Sequence, residues 1–269
     1  LEETIATQTA TMQELLDTFN AKKGEIDAAV AAAINAVHNN TPTYYVDAVA
    51  GDDANDGSIN SPFLTIGAAA SAIPVGGRGK VALQYGQEFN IDNSDIESSY
   101  RYTYISPYGD NQLAKPLITQ STYVDADNDA TYGFVLDGGI IHSNNVDIKT
   151  AAKVTPAGSQ SVNKGIIKYS GDVGGSVLVQ SGDITLQDTP FYKQANGRDT
   201  LNLQLRSVTI DRQSPAAELT KLCELASGSH QLSAAAVTLL SGLTWPDLYS
   251  GVVYATDGEP RNVLGNVLV

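Results

Sequence analysis

The sequence is short of most residues that carry chemistry by themselves. Cysteine occurs once, at Cys223, so no disulfide can close within the chain and no CxxC metal pair exists. Histidine occurs three times, at His38, His142 and His230, widely spaced and without HExxH spacing. That argues against a zinc site. No apolar run reaches the roughly 18 residues of a transmembrane helix, and the N-terminus has neither the basic nor the apolar region of a signal peptide. The GxGxxG, P-loop and GxSxG signatures are absent. Basic residues are scarce too: 16 Lys and Arg stand against 30 Asp and Glu, a net charge of −14. Such a field repels phosphate backbones and anionic membranes. We therefore expect no nucleic-acid partner, no membrane insertion and no cofactor.

What is abundant is small and turn-forming. Charged residues make up 17% of the chain, while Gly counts 24 and Tyr 13. This favours strands and turns over a helical bundle. The start is the exception. Residues 3–37 hold no Pro and one Gly, and Ile5, Met12, Phe19, Ile26 and Ala33 recur at intervals of seven. Leu15, Ala29 and Ala36 supply a companion set, which Gln8 and Lys22 break. The stripe predicts an amphipathic helix with a coiled-coil seam. A lone helix this polar needs a partner, either other chains or its own domain. Asn39, Asn40 and Pro42 end it.

The stretch Tyr44–Ile73 then changes the pattern repeatedly: a short strand, an acidic loop from Gly51 to Gly57, a turn from Pro62 to Ile66 and an Ala-rich helix. Asp52, Asp53, Asn55 and Asp56 invite a calcium reading, but neither register of the EF-hand alternation fits. The same residues suit tight turns. Thr65 is placed to cap the helix. From Gly79 onward short β-runs follow, among them Lys80–Tyr85, Glu88–Ile91, Ser176–Gln180 and Leu201–Leu205, divided by Gly, Asn and Asp. Strands of this length suit a stack that shares one interior, with a β-sandwich as the alternative. Cys223 reads as a small buried apolar residue.

Tyr44–Ile73, with its strand, acidic Gly-rich loop and covering helix, resembles the opening of right-handed parallel β-helix proteins, among them phage tailspikes and many polysaccharide lyases. KVALQYGQEFNI, in which Gly86 separates a strand from Phe89 and Ile91, is similar to their opening coil. Gly251–Gly258 (GVVYATDG) resembles a motif near phage tail-fibre termini, without the D-G-x-W hairpin that follows there. The resemblance implies a mainly β fold. Residues 42–225 would form a right-handed parallel β-helix, a solenoid. Residues 1–41 would form an N-terminal α-helical coiled coil, and residues 226–269 a small C-terminal β/helical module, in a homotrimer. It also implies a tail spike or tail fibre of the virion. Such a protein binds a bacterial cell-surface glycan or receptor outside the cell and joins other tail proteins through its N-terminus. The alternatives are a tailspike depolymerase, glycosidase or lyase, and a purely structural adhesin module. The ends of the chain, Leu1 and Val269, lead us to expect a piece of a longer polypeptide.

Two groups are candidate sites. Asp125, Asp127 and Asp129 alternate in YVDADNDATY. On a strand they would share a face, where like charges raise a pKa, and they are the weak candidates for catalysis or for a cation. Tyr100, Tyr102, Tyr104 and Tyr108 lie in SYRYTYISPYG. On a strand, Tyr100, Tyr102 and Tyr104 would form one row, a platform for a sugar or a surface packed against another chain. Glycoside cleavage wants two facing carboxylates, and no such pair stands out. The reading leans to binding.

Overall fold

The computed structural model describes residues 2–39, 41–111, 113–125, 128–152, 165–169, 173–194, 200–213, 221–225, 229–256 and 260–267. The chain divides into two units, Leu1–Thr41 and Pro42–Val269.

The first unit is helix α1, Glu2–Asn39. Thr7, Thr9 and Thr11 each return a hydroxyl to the carbonyl one turn back. Lys22–Glu25 and Lys23–Asp27 pair on its surface, where ion pairs stabilise little. Residues of the seven-residue stripe are exposed: Ile5, Met12, Phe19 and Ile26 are 54–71% exposed.

The second unit opens with β1 (Thr43–Val46). The acidic loop then spends its carboxylates on its own backbone. Asp53 accepts from the Leu64 and Thr65 amides at 2.9 and 2.8 Å and from the Thr65 hydroxyl at 2.8 Å. Asp52 and Asp56 accept from the Ala54 and Ser58 amides. Gly57 has φ +74, and a Cβ there would lie 2.3 Å from the Phe63 ring, so only glycine fits. Helix α2 (Ile66–Ala72) follows, with Thr65 as its N-cap, accepting from the Ala68 amide at 3.1 Å. Its buried Ile66, Ala69 and Ala70 close one end of the interior.

The chain then makes repeated circuits. The first is β2 (Arg78–Gln84), β3 (Glu88–Ile91) and β4 (Ile96–Glu97). The second is β5 (Tyr102–Tyr108) and β6 (Leu117–Gln120), then a hairpin of β7 (Thr122–Asp125) and β8 (Asn128–Thr131), then β9 (Phe134–Leu136). Next come β10 (Ile140–Asn144), β11 (Asp147–Lys149) and β12 (Ile167–Tyr169). β13 (Gly175–Gln180), β14 (Asp183–Leu186) and β15 (Tyr192–Lys193) follow. After them run β16 (Leu201–Arg206), β17 (Thr209–Arg212) and β18 (Cys223–Glu224). The last strands are β19 (His230–Ala235), β20 (Thr238–Leu239), β21 (Tyr249–Ser250) and β22 (Val263–Gly265).

Three parallel sheets result. The large sheet has eight strands, β1-β2-β5-β10-β13-β16-β19-β22. One six-stranded sheet runs β3-β6-β11-β14-β17-β20 and the other β4-β9-β12-β15-β18-β21. Alternate residues point inward, and pairing in register stacks like on like. Phe89, Ile118, Ile148, Ile184 and Ile210 form one inner column, each at most 6% exposed. Burying each such side chain contributes roughly 1.5–3 kcal/mol. The corner after the large sheet is tight. Asn145, Ser181, Ser207 and Ala236 each follow a strand of that sheet with φ between 52 and 58. The amides of Asn145, Ser181 and Ser207 donate to the end of the neighbouring strand, as in Asn145 to the Gln180 carbonyl at 2.8 Å.

This architecture corrects the expected fold class. The described residues form a mainly β unit of unequal parallel sheets, with strands of two to seven residues and an antiparallel hairpin set outside them. It is not the right-handed β-helix solenoid of the expectation. Nor is an N-terminal coiled coil evident: among the described residues α1 is one helix with its apolar seam exposed. The small C-terminal module is also replaced, since β19, β20, β21 and β22 each extend one of the three sheets. Gly251–Gly258, matched to a tail-fibre motif, includes residues 257 and 258, which lie outside the described residues.

Candidate functional site

The tyrosine-rich segment becomes β5. Thr103 and Ile105 point inward and are buried, while Tyr102, Tyr104 and Tyr108 are half-buried on the outer face. Tyr100 does not join that row. It precedes the strand with φ 54, and its hydroxyl donates to Asp137 at 3.2 Å. The Asp137 charge raises the pKa of that phenol. Arg101 turns back to the Ile73 and Glu97 carbonyls. Tyr108 packs edge-on against Tyr45, with ring centroids 4.9 Å apart. Burial, with the Asp47 charge nearby, raises its pKa. The expected row of four is therefore a pair, Tyr102 and Tyr104, with Tyr108 set apart beside Tyr45.

Two residues that the sequence did not single out complete the pair. β10 lies in register beside β5, which sets His142 against Tyr104. Tyr102 Oη lies 3.1 Å from His142 Nδ1, and the Tyr104 and His142 rings meet edge-on at 4.8 Å. Asn144 Nδ2 donates to Tyr104 Oη at 3.1 Å. The Arg78 guanidinium stands 5.6 Å from the centre of the Tyr102 ring, a cation–π contact. Burial lowers the His142 pKa, Gln180 opposes it in part, and the Arg206 charge adds a smaller lowering. No hydrogen bond of good geometry reaches its Nε2. The ring is thus neutral at pH 7, and the cluster presents ring faces, hydroxyls and an amide. These are groups that contact sugar C–H faces and hydroxyls.

The other candidates fare differently. Asp127, and the side chains of Asp125 and Asp129, lie outside the described residues; the backbone of Asp125 pairs with Asn128 in the β7–β8 hairpin. Among the described residues no group of three His, Cys, Asp or Glu is placed to hold a metal ion. Cys223 and His230 meet inside the fold at 4.0 Å, with His230 Nε2 also 3.2 Å from Tyr249 Oη. Both are fully buried. Burial pushes the thiol pKa up, where a nucleophilic cysteine needs it down, and lowers that of His230 to about 4. The pair belongs to the core, as the composition around Cys223 suggested.

No protein-family model matches the chain, and no curated protein matches it. Among solved structures, a GH136 lacto-N-biosidase from Eubacterium ramulus aligns at TM-score 0.41 and 16% identity, over 72% of this chain and 45% of that one. Its selenomethionine derivative aligns at 0.40 and 17%, over 74% and 43%. A rhamnogalacturonan lyase aligns at 0.42 and 10%, over 83% and 65%. The chain thus spans less than two thirds of each. None of these three is a phage tail protein, so the expected family gains nothing from them. At this level of likeness they assign neither activity nor substrate to this chain.

Proposed function

We propose that the chain binds a glycan on the outer face of the large sheet, centred on Tyr102, Tyr104, His142 and Asn144. The observation that carries this is the linked cluster itself: two outward tyrosines held by a neutral histidine and an asparagine from the next strand. Such a cluster is ordered before any ligand arrives, which lowers the entropy cost of binding. A binding face rather than a two-carboxylate cleavage site is favoured because the strands of the large sheet contain no Asp or Glu. The narrower reading is a phage tail protein of the virion that binds a bacterial cell-surface glycan. It rests on the sequence resemblances of Tyr44–Ile73, Lys80–Ile91 and Gly251–Gly258, and adsorption of the pure protein to a panel of bacterial cells tests it. For the wider reading the experiment is a glycan array probed with the full chain and with Tyr102→Ala/Tyr104→Ala. Signal lost in the variant supports it, and signal unchanged removes the site.

A further inference from the structure

The chain holds nearly twice as many acidic as basic residues, but the charges are not spread evenly over its sheets. The eight strands of the large sheet contain no carboxylate. Their outward positions carry Arg78, Lys80 and Arg206 instead. The sheet that follows across the left-handed corner is mainly acidic: Glu88, Asp147, Asp183 and Asp211 occupy outward positions beside buried Phe89, Ile148, Ile184 and Ile210, against Lys149 and Arg212 as the basic residues of its strands. Solubility alone does not require such sorting, because scattered charge of either sign serves it equally.

The cations are placed around the tyrosine cluster. Register sets Arg78 against Tyr102 and Lys80 against Tyr104, while His142 flanks Tyr104 on the other side. Parallel strands lie about 4.8 Å apart, so Lys80 and His142 stand roughly 10 Å apart across the Tyr104 strand. Arg206 closes the far side, opposite Gln180, which pairs with Asn144. Among the described residues none of these three cations is ion-paired with a carboxylate. Unpaired cations grouped beside aromatic hydroxyls on a strongly acidic protein form a local positive field that complements an anion.

Resting on the glycan reading above, we propose that the saccharide this face takes is anionic, with its carboxylate or sulfate held by Arg78 and Lys80 beside the Tyr102 and Tyr104 rings. Net charge argued against an acidic partner, whereas the distribution of that charge favours one. Duplex nucleic acid shares the anion but not the sugar faces that two half-buried tyrosines can meet, and the acidic neighbouring sheet repels a long phosphate backbone.

The test measures binding of the full chain to matched probes that differ only in charge. One pair is polygalacturonate against its methyl ester, and the other is dextran sulfate against dextran. Duplex DNA is the third arm. The expected result is binding of a charged member at least about tenfold tighter than its neutral partner, weakening as salt rises. The pair that shows it identifies the carboxylate or the sulfate as the anion. Lys80→Gln and Arg78→Gln each weaken that binding about threefold to fivefold and flatten its salt dependence, while Lys149→Gln, on the acidic sheet, does not. Equal binding within both pairs overturns the anionic preference and leaves the glycan reading standing. DNA bound as tightly as the charged polysaccharide overturns it in favour of a general polyanion surface. No binding to any saccharide, charged or neutral, removes the glycan reading and this inference with it.

Discussion

Acidification should destabilise this protein through one interior side chain. His230 points into the core from β19, where register stacks it between Leu201 and Val263. It is fully buried, and its ring stacks near Tyr192 and meets Tyr249 edge-on. Burial lowers its pKa to about 4, against roughly 6.5 in an unfolded chain. The depressed value means the fold holds the neutral ring. Stability is therefore complete above about pH 6.5 and is lost as pH falls through the window towards 4, because the unfolded chain takes up the proton first. Each pH unit in the window costs about 1.4 kcal/mol, so descending from 7 to 5 costs about 2 kcal/mol through this group. The assay is urea unfolding at pH 7 and pH 5 of the wild type and of His230→Gln, whose amide keeps a partner for the Tyr249 hydroxyl. Thirty acidic side chains also respond to pH, but they are common to both proteins. The difference between the two pH differences isolates His230. We expect the wild type to lose about 2 kcal/mol more than the variant, a midpoint shift of roughly 0.7 M urea at a slope near 3 kcal/mol/M. Equal losses would refute the reasoning and show that the ring is solvated in the fold.

Further outcomes follow from the corner, the loop and the thiol. Ala236 has φ 54, and an L-residue pays about 1–2 kcal/mol in that region. Ala236→Gly should therefore raise unfolding stability by up to about 1 kcal/mol, and a loss would contradict the corner geometry. Asp53 binds two amides and a hydroxyl ahead of α2, so Asp53→Ala should cost about 1–2 kcal/mol in the same assay, with calcium making no difference. Cys223 is fully buried with a raised pKa. At pH 8 a thiol reagent should modify it only as fast as the protein opens, so immediate labelling would contradict its burial.

How much of this the sequence disclosed depends on the range of the interaction. Local features were legible. Thr65 caps α2, α1 ends at Asn39 ahead of Pro42, and strands such as Gly175–Gln180 alternate buried and half-buried as their residue types suggest. Sheet membership was not, because it rests on register between segments tens of residues apart. The left-handed corner at Asn145, Ser181, Ser207 and Ala236 marks four passages out of the large sheet, yet it recurs at unequal intervals and uses four side chains of three types. The coiled-coil expectation failed for a related reason: a seven-residue stripe shows that a face is apolar, not that anything covers it. At the site, Tyr102 and Tyr104 were legible from strand alternation. His142 and Asn144 were not, since each meets its tyrosine across 40 residues of sequence. Tyr100 was misplaced because nothing in SYRYTY announces a positive φ at a tyrosine.

The central claim is that the Tyr102–Tyr104–His142–Asn144 face binds glycan. Its most direct measurement is the dissociation constant of the full chain for its best array glycan, compared with that of Tyr102→Ala/Tyr104→Ala, with urea unfolding run on both. Losing two ordered ring contacts should weaken binding at least about tenfold, with the variant still folding cooperatively. A folded variant that binds as tightly as the wild type would contradict it.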